Sequence, residues 1–264
     1  MSAYDEDTAV KPTSDGRYAG TVSNRWDIAG APNGGYLLAM MLNAATNEMS
    51  HPDPLTATAH YLSRTRSGEA CTISVEEIRT GRRYSTAAIS LFQGDKERIR
   101  ALATYGDLGS AEGPTDVVGS MPDVAAPEEI APIQGGVGPF EIANRFDYRT
   151  RSALSYLTAG DPVPEDLEPS FTGWIRFNDG REASLTSLAL FADAFPPAVF
   201  NRRPFSWVPT LELTVHFRAR PAPGWLLSRF STNYLIDGLL EEDGEIWDSS
   251  GNLVALSRQF AQIT

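Results

Sequence analysis

The sequence predicts an α+β protein of two tandem units, each an antiparallel sheet wrapped around one central helix. Three observations carry this expectation. Each half of the 264-residue chain holds one strongly apolar helical segment followed by several long strand-like stretches. Short segments of the two halves can be laid on one another at nearly constant spacing. Between them runs a stretch with no aromatic and no basic residue, rich in Gly and Pro, which reads as a connector. The expected organisation is a unit over 1–107, a connector over 108–137 and a second unit over 138–264.

In the first unit, Asn33-Gly-Gly-Tyr-Leu-Leu-Ala-Met-Met-Leu-Asn-Ala-Ala is apolar almost all round. Such a helix is buried rather than laid on a surface. It is expected over 34–47, with strands near 56–62, 71–79, 84–93 and 99–105. In the second unit, Ser184-Leu-Thr-Ser-Leu-Ala-Leu-Phe-Ala-Asp-Ala-Phe is the equivalent helix, expected over 185–195 and stopped by Pro196 and Pro197. Strands follow near 210–218, 226–235, 239–248 and 253–263. His60-Tyr-Leu-Ser-Arg matches His216-Phe-Arg-Ala-Arg at an offset of 156, and the helices match at 150. Ala101-Leu-Ala-Thr-Tyr matches Ala255-Leu-Ser-Arg-Gln at 154. This is the signature of a tandem duplication. The two sheets are expected to pack as a pseudo-dimer.

Composition excludes several classes. A net charge of −12 argues against nucleic acid as a partner. The connector alone carries five acidic residues and no basic one. The longest uninterrupted apolar run, Tyr36–Leu42, is far short of the roughly 20 residues that span a bilayer. The acidic N-terminus has no basic region followed by an apolar stretch, so no signal peptide and a cytoplasmic location are expected. Cys71 is the only cysteine, which rules out an intrachain disulfide and a cysteine metal cage, and it reads as a buried strand thiol. No metal site and no cofactor are expected.

Three polar residues stand out. Asp193 lies in an otherwise apolar helical segment. A buried carboxylate needs partners or a shifted pKa, although an Asp near a helix end can also simply reach solvent. Thr210 opens a strand in which Leu211, Leu213, Val215 and Phe217 share one face, leaving Thr210 on the other. Gln259 lies in the C-terminal strand, where an edge position would leave it solvated. In the first unit the overlay puts Asn43, Pro54 and Tyr105 at the equivalent positions, so the polar set exists in one copy only. Asn33, Gly34, Gly35 and Tyr36 open the first helix. They read either as a tight helix start or as backbone N–H donors for an oxyanion. Arg64, Arg82 and Arg83 are ordinary surface cations that could pair with phosphates.

Pro32-Asn-Gly-Gly-Tyr, His60-Tyr-Leu-Ser-Arg-Thr-Arg-Ser-Gly, Arg79-Thr-Gly-Arg-Arg-Tyr-Ser-Thr and Ala101-Leu-Ala-Thr-Tyr-Gly-Asp in one half carry a family likeness. So do Leu190-Phe-Ala-Asp, Trp207-Val-Pro-Thr-Leu-Glu-Leu-Thr-Val-His-Phe and Leu253-Val-Ala-Leu-Ser-Arg-Gln in the other. Their order and spacing resemble the double-hot-dog acyl-CoA thioesterases related to bacterial thioesterase II. The resemblance runs from about residue 16 to the end, excluding the connector. It implies two tandem hot-dog domains, hydrolysis of acyl-CoA to free acid and CoA, and a water held by Asp193, Thr210 and Gln259. It also implies CoA as part of the substrate, with Arg64, Arg82 and Arg83 as candidate phosphate partners, and a homo-oligomer. Leu-Glu-Leu-Thr after Thr210 departs from the family's Ile/Leu-Asp-His-Ser.

Two other functions fit the same fold: a hydratase or dehydratase, and a non-catalytic acyl-binding protein. A hot-dog hydratase relies on a catalytic His paired with a carboxylate. The only histidines are His51, His60 and His216, and none closely follows Asp193 or either helix.

Overall fold

The computed structural model describes all residues except 15, 134–139, 151, 154, 155, 157–161, 163 and 264. The first half comprises helix α1 (Ala3–Asp7), strands β1 (Lys11–Ser14) and β2 (Arg17–Thr21), and a short ribbon of β3 (Asp27–Ile28) and β4 (Ala31–Pro32). Helix α2 (Gly34–Thr46) and strands β5 (Asp53–Tyr61), β6 (Ala70–Thr80), β7 (Ser85–Gln93) and β8 (Lys96–Gly106) complete it. The second half holds β9 (Phe146–Thr150), β10 (Ser170–Phe177), helix α3 (Leu188–Phe191) and β11 (Thr210–Phe217). It ends with β12 (Leu226–Ser231), β13 (Leu235–Ile236), β14 (Leu239–Trp247) and β15 (Leu253–Gln262).

The expected strands and helix α2 are present, and each half wraps its sheet on a helix as a hot-dog unit does. Besides the short β3–β4 ribbon, four strands of the large sheet were not foreseen: β1 and β2 before α2, and β9 and β10 before α3. They complete the duplication. The spatial order β1-β2-β6-β7-β8-β5 is repeated in reverse as β11-β15-β14-β12-β10-β9, with β13 beside β14.

The expectation of two separate sheets is corrected. β5 pairs antiparallel with β11, so thirteen described strands form one continuous sheet. Left apart, the two units would each expose the backbone donors and acceptors of a long central edge. Thr58 lies opposite Thr214, their hydroxyls 2.9 Å apart, and these are repeat mates at the offset of 156. The approximate two-fold axis therefore passes between them. The sheet register also revises one equivalence. Ala57 pairs with Ala103, and its mate Leu213 pairs with Gln259. The counterpart of Gln259 is thus Ala103 rather than Tyr105, whose own counterpart is Ala261.

The core is shared between the halves. α2 is apolar all round because the sheet covers one side and α3 the other, and Tyr36 through Leu42 are at most 2% exposed. Trp26 stacks on Tyr36 with ring centroids 5.6 Å apart and meets Phe146 of the second half edge-on at 6.0 Å. Phe177 and Phe191 continue the same aromatic cluster. α3 is shorter than expected, four residues instead of eleven. Its last turn tightens, with Asp193 N–H donating to Leu190 carbonyl at 3.1 Å, before Pro196 and Pro197 end the run. Asp193 therefore lies just past the helix. The described part of the connector is anchored on the second half, where Trp174 Nε1 donates to Ala125 carbonyl at 3.0 Å.

Candidate active site

The helix start at Asn33 is the organising feature. Asn33 caps α2, its Oδ1 accepting the Tyr36 N–H at 2.8 Å. Its Nδ2 reaches across to the other half, donating to the Asp193 carbonyl at 2.7 Å and to Asp193 Oδ2 at 2.8 Å. Gly35 N–H donates to the same Oδ2 at 2.8 Å, and Gly34 N–H also stabilises that carboxylate. Three donors and the positive end of a 13-residue helix thus hold one carboxylate. Desolvation outweighs them and pushes the Asp193 pKa up to about 6. At neutral pH the group remains chiefly a carboxylate, with a proton affinity suited to a general base.

Both glycines are required by close approach. A Cβ on Gly35 would lie 2.4 Å from the Ala189 carbonyl oxygen, and one on Gly34 would lie 2.9 Å from the Tyr61 hydroxyl. The two helices cross at this point, which explains why the site is built from both halves.

Thr210 and Gln259 meet, with Gln259 Nε2 donating to Thr210 Oγ1 at 2.6 Å. Strict alternation along β11 places Thr210 on the wrong face for this. A register shift between Thr210 and Glu212 turns Thr210 inward beside Ala261, on the face that carries Leu213 and Gln259. The same shift recurs between Pro54 and Thr56 in the first half, so it belongs to the duplicated scaffold. Gln259 is 6% exposed. β15 lies between β11 and β14, so an edge position for Gln259 is corrected.

Glu242 joins this cluster and was missed from sequence. It lies directly across β14 and β15 from Gln259, is buried, and accepts the Ala198 N–H. Burial pushes its pKa up to about 8, and the negative charge of Asp193 adds to the rise. The available signal was the alternation of Leu240, Glu242, Gly244 and Ile246, which turns one Glu inward.

This carboxyl carries a stability prediction. Its folded pKa lies above the ordinary 4.5, so the folded state holds the proton more tightly. Its stabilising contribution is therefore complete below about pH 4.5 and is lost as pH rises through about 8. Glu242→Gln is expected to flatten that part of the decline, by roughly a few kcal/mol between pH 6 and 9. Urea unfolding at the two pH values reads it, and parallel curves for variant and wild type would contradict a buried neutral Glu242.

Two other sequence expectations change. Tyr36 is fully buried, and its hydroxyl donates to the Asp7 carbonyl at 2.9 Å and accepts the Ser23 N–H at 3.1 Å. It supports the helix rather than facing a ligand. The Gly35 N–H is engaged by Asp193, so it is not the free oxyanion donor expected from sequence.

The arginines separate. Arg64 lines a cleft of about 690 Å³ with Arg66, Lys96 and Arg98, and its Nη2 donates to the Gly30 carbonyl at 2.8 Å. Three residues on from Gly30 is Asn33, so the cleft opens beside the start of α2. Arg98 Nε is buried there without a hydrogen-bond partner among the described residues. Arg82 and Arg83 sit on the turn between β6 and β7, at the opposite end of the strands from Lys96. A β-hairpin separates them from the cleft by nine residues of strand, which is roughly 30 Å.

His60 and His216 are exposed on the outer face of the sheet, and His51 Nδ1 bonds the Ser85 hydroxyl at 3.1 Å. No described group of three or more His, Cys, Asp and Glu side chains could hold a metal ion. No helix of the described residues is long and apolar enough to cross a membrane.

A duplicated helix-wrapping sheet with one polar cluster between its halves defines a double-hot-dog protein. The chain belongs to the acyl-CoA thioesterase family: residues 22–106 match its N-terminal domain and residues 120–263 its C-terminal domain. It is similar over its whole length to a candidate thioesterase II of Thermobifida fusca, with 28% identity, a TM-score of 0.88 and 98% of that chain covered. A hot-dog-fold protein of unknown function from Alicyclobacillus acidocaldarius also superposes at a TM-score of 0.88, with 24% identity over 100% of this chain and 98% of that one. Among sequence relatives, the thioesterase-like protein TwmA of Talaromyces wortmannii is 25% identical over 98% of this chain and 91% of its own length.

Proposed function

We propose that this protein hydrolyses acyl-CoA thioesters through a water held by Asp193, Thr210 and Gln259. The observation that carries the reading is the Asp193 carboxylate, fixed by three donors at the start of α2 and tuned by burial toward neutral pH. The charge of Asp193 acts on Glu242, which pairs with Gln259 across neighbouring strands, and this link supports reading the carboxylate and the Thr210–Gln259 pair as one site.

Asp193 takes a proton from water as the water oxygen bonds to the thioester carbonyl carbon. The carbonyl electron pair moves onto its oxygen, and collapse of the tetrahedral species breaks the carbon–sulfur bond. The thiolate of CoA leaves with the proton from Asp193, giving free acid and CoA. No covalent acyl-enzyme is needed. Thr210 and Gln259 orient the water; they supply no proton in net. General-base assistance of this kind is typically worth about 10²–10⁴-fold.

The cleft of Arg64, Arg66, Lys96 and Arg98 takes the phosphates of CoA in this reading. Arg82 and Arg83 are left out of it. Arg98→Ala is expected to raise KM for an acyl-CoA about tenfold, the cost of one charge-assisted contact, with kcat unchanged. The KM for the matching acyl-pantetheine, which lacks the nucleotide, should not move. Equal effects on both thioesters would detach the cleft from the nucleotide.

A hydratase is disfavoured because no described histidine is turned toward the Asp193 cluster. Thiol release across a panel of acyl-CoAs tests the proposed function. Absence of release from every member, with tight binding retained, would replace hydrolysis with acyl binding.

A further inference from the structure

One more polar group lies at the start of α2, close enough to Asp193 to feel its charge, and the mechanism does not use it. Tyr61 ends β5 with its ring and hydroxyl against the Gly34 Cα, at the start of α2. The hydroxyl oxygen is buried and has no hydrogen-bond partner among the described residues. An unsatisfied buried hydroxyl costs about 1–3 kcal/mol, so its persistence at a site that could carry Phe asks for a reason.

The duplication shows where that reason lies. Tyr61 and Phe217 are repeat mates at the offset of 156, on the two strands that pair across the two-fold axis. The ring is present twice and the hydroxyl once. It belongs to the site that carries Asp193, Thr210 and Gln259. At the repeat-related positions the chain has Asn43, Pro54, Ala103 and Phe217. The asymmetry that marks the water-holding residues therefore extends to this phenol.

Resting on the hydrolytic reading above, we infer that the Tyr61 hydroxyl is the oxyanion donor, giving its hydrogen bond to the thioester carbonyl oxygen. Gly35 N–H, the nearest backbone alternative, is held by Asp193 at 2.8 Å. One residue away, the phenol presents a donor with nothing else to bond. A carbonyl carbon placed against the water of Asp193 brings its oxygen to this part of the helix start. Burial, reinforced by the charges of Asp193 and Glu212, holds the phenol pKa well above its usual value, so it stays protonated and can donate at neutral pH, where Asp193 is charged.

The test is Tyr61→Phe in the full-length chain, with kcat, KM and Tm measured beside Asp193→Asn on the best acyl-CoA of the panel. Loss of one oxyanion donor is expected to lower kcat about 10²-fold, with KM within about twofold. The Tm should be unchanged or higher, because the substitution removes a buried group with no partner. A structural role would instead lower Tm and leave kcat. If Asp193→Asn loses turnover while Tyr61→Phe keeps it, the phenol is not the donor and the hydrolytic site stands. If both keep wild-type turnover, the hydrolytic reading of the site fails and the inference fails with it.

Discussion

Asp193→Asn is expected to lower kcat by at least about 10²-fold while leaving KM and the fold nearly unchanged. The substitution keeps the volume. Its side-chain oxygen can still accept from Asn33 Nδ2 and Gly35 N–H, which turns an amide donor outward where the carboxylate accepted. The water then loses its proton acceptor. In the proposed mechanism only the ionised form of Asp193 acts, so kcat/KM should rise with pH through about 6 and level above it. The variant should lose that rise. Stability moves the other way. A carboxyl whose folded pKa is raised from 3.8 to about 6 destabilises the fold when it ionises. At pH 8 the variant should therefore be at least as stable as the wild type. Steady-state kinetics over pH 5–9, with thermal unfolding at the two ends, reads both effects. Near wild-type turnover would remove Asp193 from the chemistry.

Gly35→Ala is expected to damage both the fold and the site. Elsewhere in a helix, Gly→Ala stabilises by roughly 0.5–1 kcal/mol. Here the new Cβ would lie 2.4 Å from the Ala189 carbonyl oxygen, 2.8 Å from Asp193 Cβ and 3.1 Å from Leu190 Cα. Two of these atoms are backbone and cannot rotate away, so α3 must move off α2. Overpacking of this kind costs about 1–3 kcal/mol. For a chain this long, that is a Tm drop of several degrees. The displacement also pulls Asp193 from its donors, so kcat should fall with Tm. Gly34→Ala provides the contrast in stability alone, since its Cβ meets only the end of the Tyr61 side chain, and displacing that phenol should lower kcat with little change in Tm. A stable, active Gly35→Ala enzyme would mean the helices do not approach as described.

The same contact accounts for much of what could be read in advance. The apolar run after Asn33 has to be a buried helix because no face of it tolerates water, and it forms over Gly34–Thr46. The long strands after each helix declare themselves through alternation. The strands before the helices do not, because β1 and β2 are short and mostly exposed, β3 and β4 are two residues each, and β10 is interrupted at Gly173. The alternation of Phe171, Gly173, Ile175 and Phe177 was a usable signal for β10 all the same.

The sequence by itself determined the duplication, the α+β class and the list of polar residues present in one copy and absent from the other. Those are properties of order and spacing, which need no contact to be visible. Only the tertiary structure decided where these residues lie and what they bond. A register shift that sequence periodicity cannot register turns Thr210 inward to Gln259. Pairing of β5 with β11 fuses two sheets into one and brings the helix start of one half to the carboxylate of the other. That pairing also assigns the Gly35 N–H to Asp193 and leaves the Tyr61 hydroxyl as the unpartnered donor. A hydrogen bond depends on positions in space to within a few tenths of an ångström, and residues about 160 apart in the chain acquire such positions only when both halves have folded onto one core.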